Sequence, residues 1–223
     1  MMAGQLIDKK AETFWVKARN TVEHYTQFVN EKPISEKFVL SFTDLLYASN
    51  FKAGNGNVQE PVESIEEKLT EYSQLLTDFN NKIFDNSLNN KALASLDDEK
   101  LEFLLMLIER MVNVCSKQKI DGFGISYCSA LFHFYFPNLI PVLDRRVLMG
   151  IGIVTKPIQM NLYGQVKEIE TYYKRLVEEL YKQLKAGNFP DLEKADEHYF
   201  KIETPEQLKV KNLRNHLKGT NSL

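Results

Sequence analysis

The segment Ile120-Asp121-Gly122-Phe123-Gly124-Ile125 decides how this chain reads. Two glycines flank one apolar residue. Apolar runs stand on both sides, Leu101 to Cys115 before it and Ser126 to Phe136 after it. Glycine takes positive φ without a steric penalty, so the pattern predicts a tight reversal between two helices. Ile120, Phe123 and Ile125 are expected to point inward and hold those helices together. The missing side chains leave backbone N–H groups exposed where the second helix starts. Those donors and the helix dipole form a ready anion site, into which a duplex phosphate would fit. A plain interhelical turn would carry the same residues, so the sequence downstream has to decide between the two.

Downstream, Pro137-Asn138 turns the chain, and Ile140-Pro141-Val142 is extended because a residue before proline is kept out of helix. Asp144 then opens a short helix to about Met149. It reads as an N-cap for the helix that begins at Arg145, or as a carboxylate facing a cleft, and the two roles are compatible. Arg145 and Arg146 can meet phosphates. An arginine beside an aspartate is also a common surface pair of little energetic consequence.

Further out the pattern is helical throughout. Phe14, Ala18, Val22, Tyr25 and Val29 mark a helix from Thr13 to about Asn30, with residues 1–10 frayed. Pro33 opens a second helix, read as Ile34 to Ala48. Phe51 to Gln59, with Gly54-Asn55-Gly56-Asn57, reads as a connection, since a phosphate-cradling loop would need a strand before it and a lysine after it. Pro61 starts a long helix striped by Val62, Ile65, Leu69, Tyr72, Leu76, Phe79 and Ile83. Ser95 or Asp97 caps the Leu101–Cys115 helix, apolar nearly all round and therefore expected to be central. Asn161 is placed as the cap of a long helix ending at Ala186, with Gly187 at the C′ position. A short helix covers residues 191–200. Thr204-Pro205-Glu206-Gln207 is a capping box that opens a last helix to about Lys218. No useful alternating pattern appears. The expectation is an all-α chain in which residues 1–223 form a single helical domain, with a hairpin core at about 101–150 and the other helices as a second lobe.

A formal charge of −2 argues against a generic polyanion binder. The charge is uneven: residues 60–110 hold twelve acids against five bases, whereas residues 201–223 hold five bases against two Glu. The basic end could touch phosphate while the acidic helices face away. The only two cysteines, Cys115 and Cys128, sit in apolar runs as small hydrophobes, and the four histidines lack ligand spacing, so no metal site is expected. His133 reads as a core histidine; Trp15 and Tyr172-Tyr173 read as packing residues. No signal peptide or long apolar run appears, so a soluble, cytoplasmic chain without membrane contact is expected.

The run Ile120–Leu148 resembles the core of the helix-hairpin-helix (HhH-GPD) DNA glycosylases, closest to the OGG-like bacterial branch. The likeness extends loosely from about residue 30 to residue 220. It implies a two-lobed helical fold, double-stranded DNA as partner, and a hairpin that grips phosphate, often through a bound monovalent cation (K or Na). Gly122, Phe123, Gly124 and Ser126, with Arg145 and Arg146, then stand at the DNA, and Asp144 is the catalytic carboxylate. Bifunctional members carry a lysine at the position of Ser126, so the resemblance implies hydrolytic base excision without lyase chemistry and with no other cofactor. A catalytically inactive module of the same fold, binding DNA or protein, is the alternative. A third reading makes the hairpin only a turn.

Overall fold

The first helix, α1, begins where its cap does. Asp8 accepts a hydrogen bond from the Lys10 N–H at 3.0 Å, and α1 runs Lys9–Glu31 up to the break at Lys32-Pro33. The computed structural model describes residues 7–52, 60–156, 159–161, 165–205 and 208–209. The expected frayed end is therefore helical from Lys9, because an aspartate side chain satisfies an otherwise orphaned N–H.

The second helix differs from the expectation. Ile34–Glu36 makes a single 3-10 turn, and α2 spans Phe42–Phe51. Ser41 and Asp44 set its start: the Ser41 N–H and hydroxyl donate to Asp44 Oδ2 at 2.7 and 2.8 Å. Asp44 is fully buried and also receives the Tyr25 hydroxyl at 2.6 Å and the Lys32 ammonium at 2.9 Å. A buried carboxylate is tolerated only when its oxygens are satisfied in this way. Residues 53–59, the expected connection, lie outside the described residues.

α3 (Val62–Asp85) buries Ile65, Leu69, Tyr72, Leu76, Phe79 and Ile83 of its expected stripe, while Val62, in the helix's first turn, is exposed. Asp97 caps α4 (Asp98–Lys117) by accepting from the Lys100 N–H at 2.9 Å. α4 is amphipathic and not apolar all round, for Met106 is half exposed while Leu104, Leu107, Ile108, Met111 and Cys115 define one buried face. α5 (Ile125–Tyr135) and α6 (Arg145–Gly150) follow the expected pattern closely.

The long helix expected from Asn161 does not form. Asn161 and Gln165 pair with each other instead: the Asn161 N–H donates to the Gln165 carbonyl, and the Gln165 N–H to Asn161 Oδ1, at 2.9 and 3.0 Å. An asparagine side chain that bonds its local backbone competes with helix. Glu168 then adopts a left-handed φ of 46°, and after a 3-10 turn at Ile169–Tyr172 the helix α7 occupies only Tyr173–Lys185. Gly187 ends it with φ 73°, as expected. Asp191 caps α8 (Leu192–Lys201). Leu208 N–H donates to the Thr204 carbonyl at 3.1 Å, one turn of the expected last helix; residues 206–207 and 210–223 lie outside the described residues.

Among the described residues the only β pairings are isolated bridges, so the fold is all-α. No described helix is long and apolar enough to cross a membrane. Among the described residues, buried side chains of α1 to α8 join one contiguous cluster. Within it α1 lies against α2 and α8, α2 against α5, and α6 against α8. The α6–α8 contact is backbone-close: a Cβ at Gly150 would stand 2.2 Å from the Tyr199 carbonyl oxygen.

Candidate functional site

The hairpin forms as the glycine pattern requires. The Phe123 N–H donates to the Ile120 carbonyl at 2.9 Å, closing a turn whose third residue is Gly122 with φ 82°. Gly124 does not need a positive φ; it is the extended N-cap of α5, and its carbonyl accepts from Tyr127 and Cys128. Ile120, Phe123 and Ile125 are buried, while Asp121 and Gly122 are exposed. The turn also carries an acid that sequence reading did not foresee. Glu60 Oε1 accepts the Asp121 N–H at 2.6 Å, and Lys68 donates to Glu60 and to the Lys119 carbonyl. The Lys68 ammonium, with the Asp121 and Ser64 donors, holds the Glu60 carboxyl down at about 2. The carbonyls of Gln118, Lys119 and Ile120 accept from Tyr72, Lys68 and Phe123 respectively. A potassium or sodium ion at the hairpin would have to use the remaining carbonyls.

Ser126 has a task of its own. The Ser126 hydroxyl donates to the Leu143 carbonyl at 2.5 Å, and the Leu143 N–H donates to the Ser129 hydroxyl at 2.9 Å. Two serines of α5 thus hold both backbone groups of the residue before Asp144. Asp144 caps α6, accepting from the Arg146 N–H at 2.7 Å. Its other oxygen pairs with Lys52, the residue that ends α2. Burial disfavours charge on Asp144, but Lys52, the Arg146 N–H and Arg145 outweigh it and hold the carboxyl below its ordinary value. The cap and the cleft-facing carboxylate are therefore the same group.

Asp144 and Lys52 line a cavity of about 560 Å³, inside the range of roughly 300–1,000 Å³ usual for small-molecule sites. Its walls come from five helices, among them Phe14 and Trp15 of α1, Phe51 of α2, His133 of α5, Val147 of α6, and Asp196 and Phe200 of α8. The Phe200 ring meets Phe14 and Trp15, each with centroids 5.5 Å apart. His133 Nδ1 lies 2.7 Å from the Ile140 carbonyl and carries the proton there; burial lowers its pKa, so it stays neutral, a core histidine at the cavity's edge.

Two buried polar atoms on these lining residues, Trp15 Nε1 and Asp196 Oδ1, have no partner, whereas a third without a hydrogen bond, Glu193 Oε1, is ion-paired with Arg19. Asp196 is 3 % exposed. Burial pushes its carboxyl up to about 8, with Asp144 adding to the shift and the Val142 N–H and Lys52 opposing it. Buried polar atoms are nearly always paired, so these two, on residues that line the cavity, are exceptions.

The structure thus brings Asp144, Arg145 and Arg146 to the cavity, whereas the hairpin residues 120–126 do not line it. Arg146 is turned to internal work. Its guanidinium donates to the Phe200 carbonyl at 2.9 Å and to Asp8 at 3.0 Å, and it lies over the Phe200 ring. Lys52, Asp196 and the cavity-lining role of Trp15 were missed by sequence reading. An acid at a core position was the available signal, since Leu192, Ala195, Asp196 and Phe200 make the buried stripe of α8. Comparison with protein-family models, with curated proteins and with solved structures gave no match.

Proposed function

We propose that the chain is a monofunctional DNA base-excision glycosylase of the helix-hairpin-helix type, its helices forming two lobes about the cavity. The observation that carries this reading is Asp144, an ionised carboxylate fixed at the wall of an aromatic-lined cavity of nucleoside size. Hydrolysis of an N-glycosidic bond builds positive charge on the sugar, and a carboxylate held there stabilises it and orients the attacking water. The target nucleotide has to leave the duplex to reach the cavity, and Phe14, Trp15 and Phe200 supply the apolar faces against which an extruded base would stack. Lys52 keeps the carboxylate charged and in one orientation. The exposed turn at Asp121-Gly122 and the start of α5 are the phosphate grip. With Ser126 committed to Leu143, the hairpin offers no amine to attack the sugar, so the reaction proposed is hydrolytic.

The test incubates the protein with duplexes carrying oxidised, alkylated or deaminated bases and measures abasic sites. Product that disappears in Asp144→Asn supports the reading, and absence of product on every lesion refutes it. A second reading, a non-catalytic module of this fold that binds DNA or protein, is favoured by the engagement of both Asp144 oxygens, as in a purely structural cap. Duplex binding without product would establish that one.

A further inference from the structure

We propose that Glu60 is a built-in competitor for the phosphate grip: the Asp121 N–H, Ser64 and Lys68 form an oxyanion cradle that the chain fills with its own carboxylate and that a phosphate takes over. The proposal rests on the reading that the hairpin meets DNA, and it deepens that reading by naming what closes the grip and what opens it.

Three donors from two segments converge on one carboxylate. Glu60 Oε1 accepts from the Asp121 N–H and from the Lys68 ammonium, each at 2.6 Å. Oε2 accepts from the Ser64 hydroxyl at 2.7 Å and from the same ammonium at 2.5 Å. A backbone amide, a hydroxyl and an ammonium around anionic oxygens are the donors that recognise phosphate. A phosphodiester also carries a single negative charge and presents a pair of non-bridging oxygens, so it can replace the carboxylate oxygen for oxygen.

The cradle does not depend on the group that fills it. Lys68 also donates to the Lys119 carbonyl at 2.7 Å, and Tyr72, one turn further along α3, donates to the Gln118 carbonyl at 2.9 Å. These bonds tie α3 to the approach of the hairpin without Glu60. The Asp121 N–H is set by the turn that Phe123 closes on Ile120, and both of those side chains are buried. Ser64 is helical, one turn before Lys68. Glu60 stands outside α3, before Pro61, and is the one acceptor the three donors share. When it leaves, the donors stay aimed at one point. The turn at Asp121-Gly122 is exposed, so anions can exchange there without opening the core. A tethered carboxylate competes at high effective concentration, and displacing it costs affinity until the acid is removed.

The test measures binding of an undamaged duplex, and separately of inorganic phosphate, to the full chain, with the Asp121 amide followed by NMR as a reading from inside the cradle. Glu60→Ala should tighten duplex binding about tenfold, the worth of one charge-assisted contact freed from competition. Glu67→Ala removes an equal charge from an exposed position of the same helix and should change binding less than about twofold. Lys68→Met added to Glu60→Ala should return the affinity to the parent's or below. Glu60→Gln, which still accepts the Asp121 N–H but carries no charge, serves if the alanine variant does not fold. Equal gains from Glu60→Ala and Glu67→Ala, no gain from either Glu60 variant, or a gain that survives Lys68→Met each overturns the proposal. Tightening and an Asp121 shift with the duplex assign a backbone phosphate; the same response to inorganic phosphate alone supports the cradle and assigns it a free phosphate. The two readings fail separately. Lesion excision with no effect of Glu60 refutes this inference alone, and tightened duplex binding without product refutes the glycosylase reading alone.

Discussion

Replacing Gly150 by alanine sets two effects of opposite sign against each other. Helix propensity alone would favour alanine by about 1 kcal/mol in a helix interior, and less at the last residue of α6. Against it stands the approach of α8, where the added Cβ would sit 2.2 Å from the Tyr199 carbonyl oxygen and 2.9 Å from its carbon. Ordinary carbon–oxygen contact requires more than an ångström of additional separation, and the obstacle is backbone, which has no rotamer with which to yield. Overpacking of this kind costs about 1–3 kcal/mol. The clash should win, leaving the variant about 1–2 kcal/mol less stable. For a chain of this length that lowers the melting temperature by about 2–8 °C. Urea unfolding followed by circular dichroism checks the sign, and calorimetry gives the midpoint. The displacement should also reach the cavity, because α6 carries Val147 and α8 carries Asp196 and Phe200. A variant as stable as the parent, or more stable, would refute the claim that α6 and α8 meet backbone to backbone.

Three further outcomes are expected. Glu60→Gln removes a negative charge from the hairpin and releases Lys68, so duplex affinity should rise several-fold and the salt slope steepen by about 1; unchanged affinity and slope would take the hairpin out of the interface. Asp196 has a folded-state pKa of about 8, above its unfolded value, so it favours the fold fully below the unfolded value. That contribution falls as pH rises from about 4 to about 8, and Asp196→Asn should flatten the stability profile in this window; an identical profile would show that Asp196 is not buried as described. Borohydride added during reaction with an abasic duplex should trap no adduct, and a cross-link lost in Lys52→Met would make Lys52 a nucleophile and overturn the hydrolytic mechanism.

The sequence was most legible where signals were local. Asp144 as a cap, the Gly122 turn, the Gly187 terminus and the stripe of α3 each depend on a few adjacent residues, and each is found. It was least legible where a side chain competed with the expected helix, as Asn161 did by bonding to Gln165, or where Ser41-Asp44 started a helix eight residues later than Pro33 suggested. The cavity is a different case. Trp15, Lys52, Asp144 and Asp196 come from four separated segments, and their meeting is decided by how α1, α2, α6 and α8 pack, which no periodicity records. Asp44 and Asp196 show two outcomes for an acid inside an apolar stripe: both oxygens paired, or one left without a hydrogen bond. Asp44 is the first kind and Asp196 the second.

The pair of serines that clasps Leu143 has a mechanical consequence. With its carbonyl fastened to Ser126 and its amide to Ser129, Leu143 cannot slide along α5, and Asp144 inherits that immobility. The hairpin tip and the carboxylate become two marks on one rigid gauge. Under the proposed reading, a phosphate held at the tip would be set at a fixed span from Asp144. Ser126→Ala would leave both marks in place and loosen the scale between them.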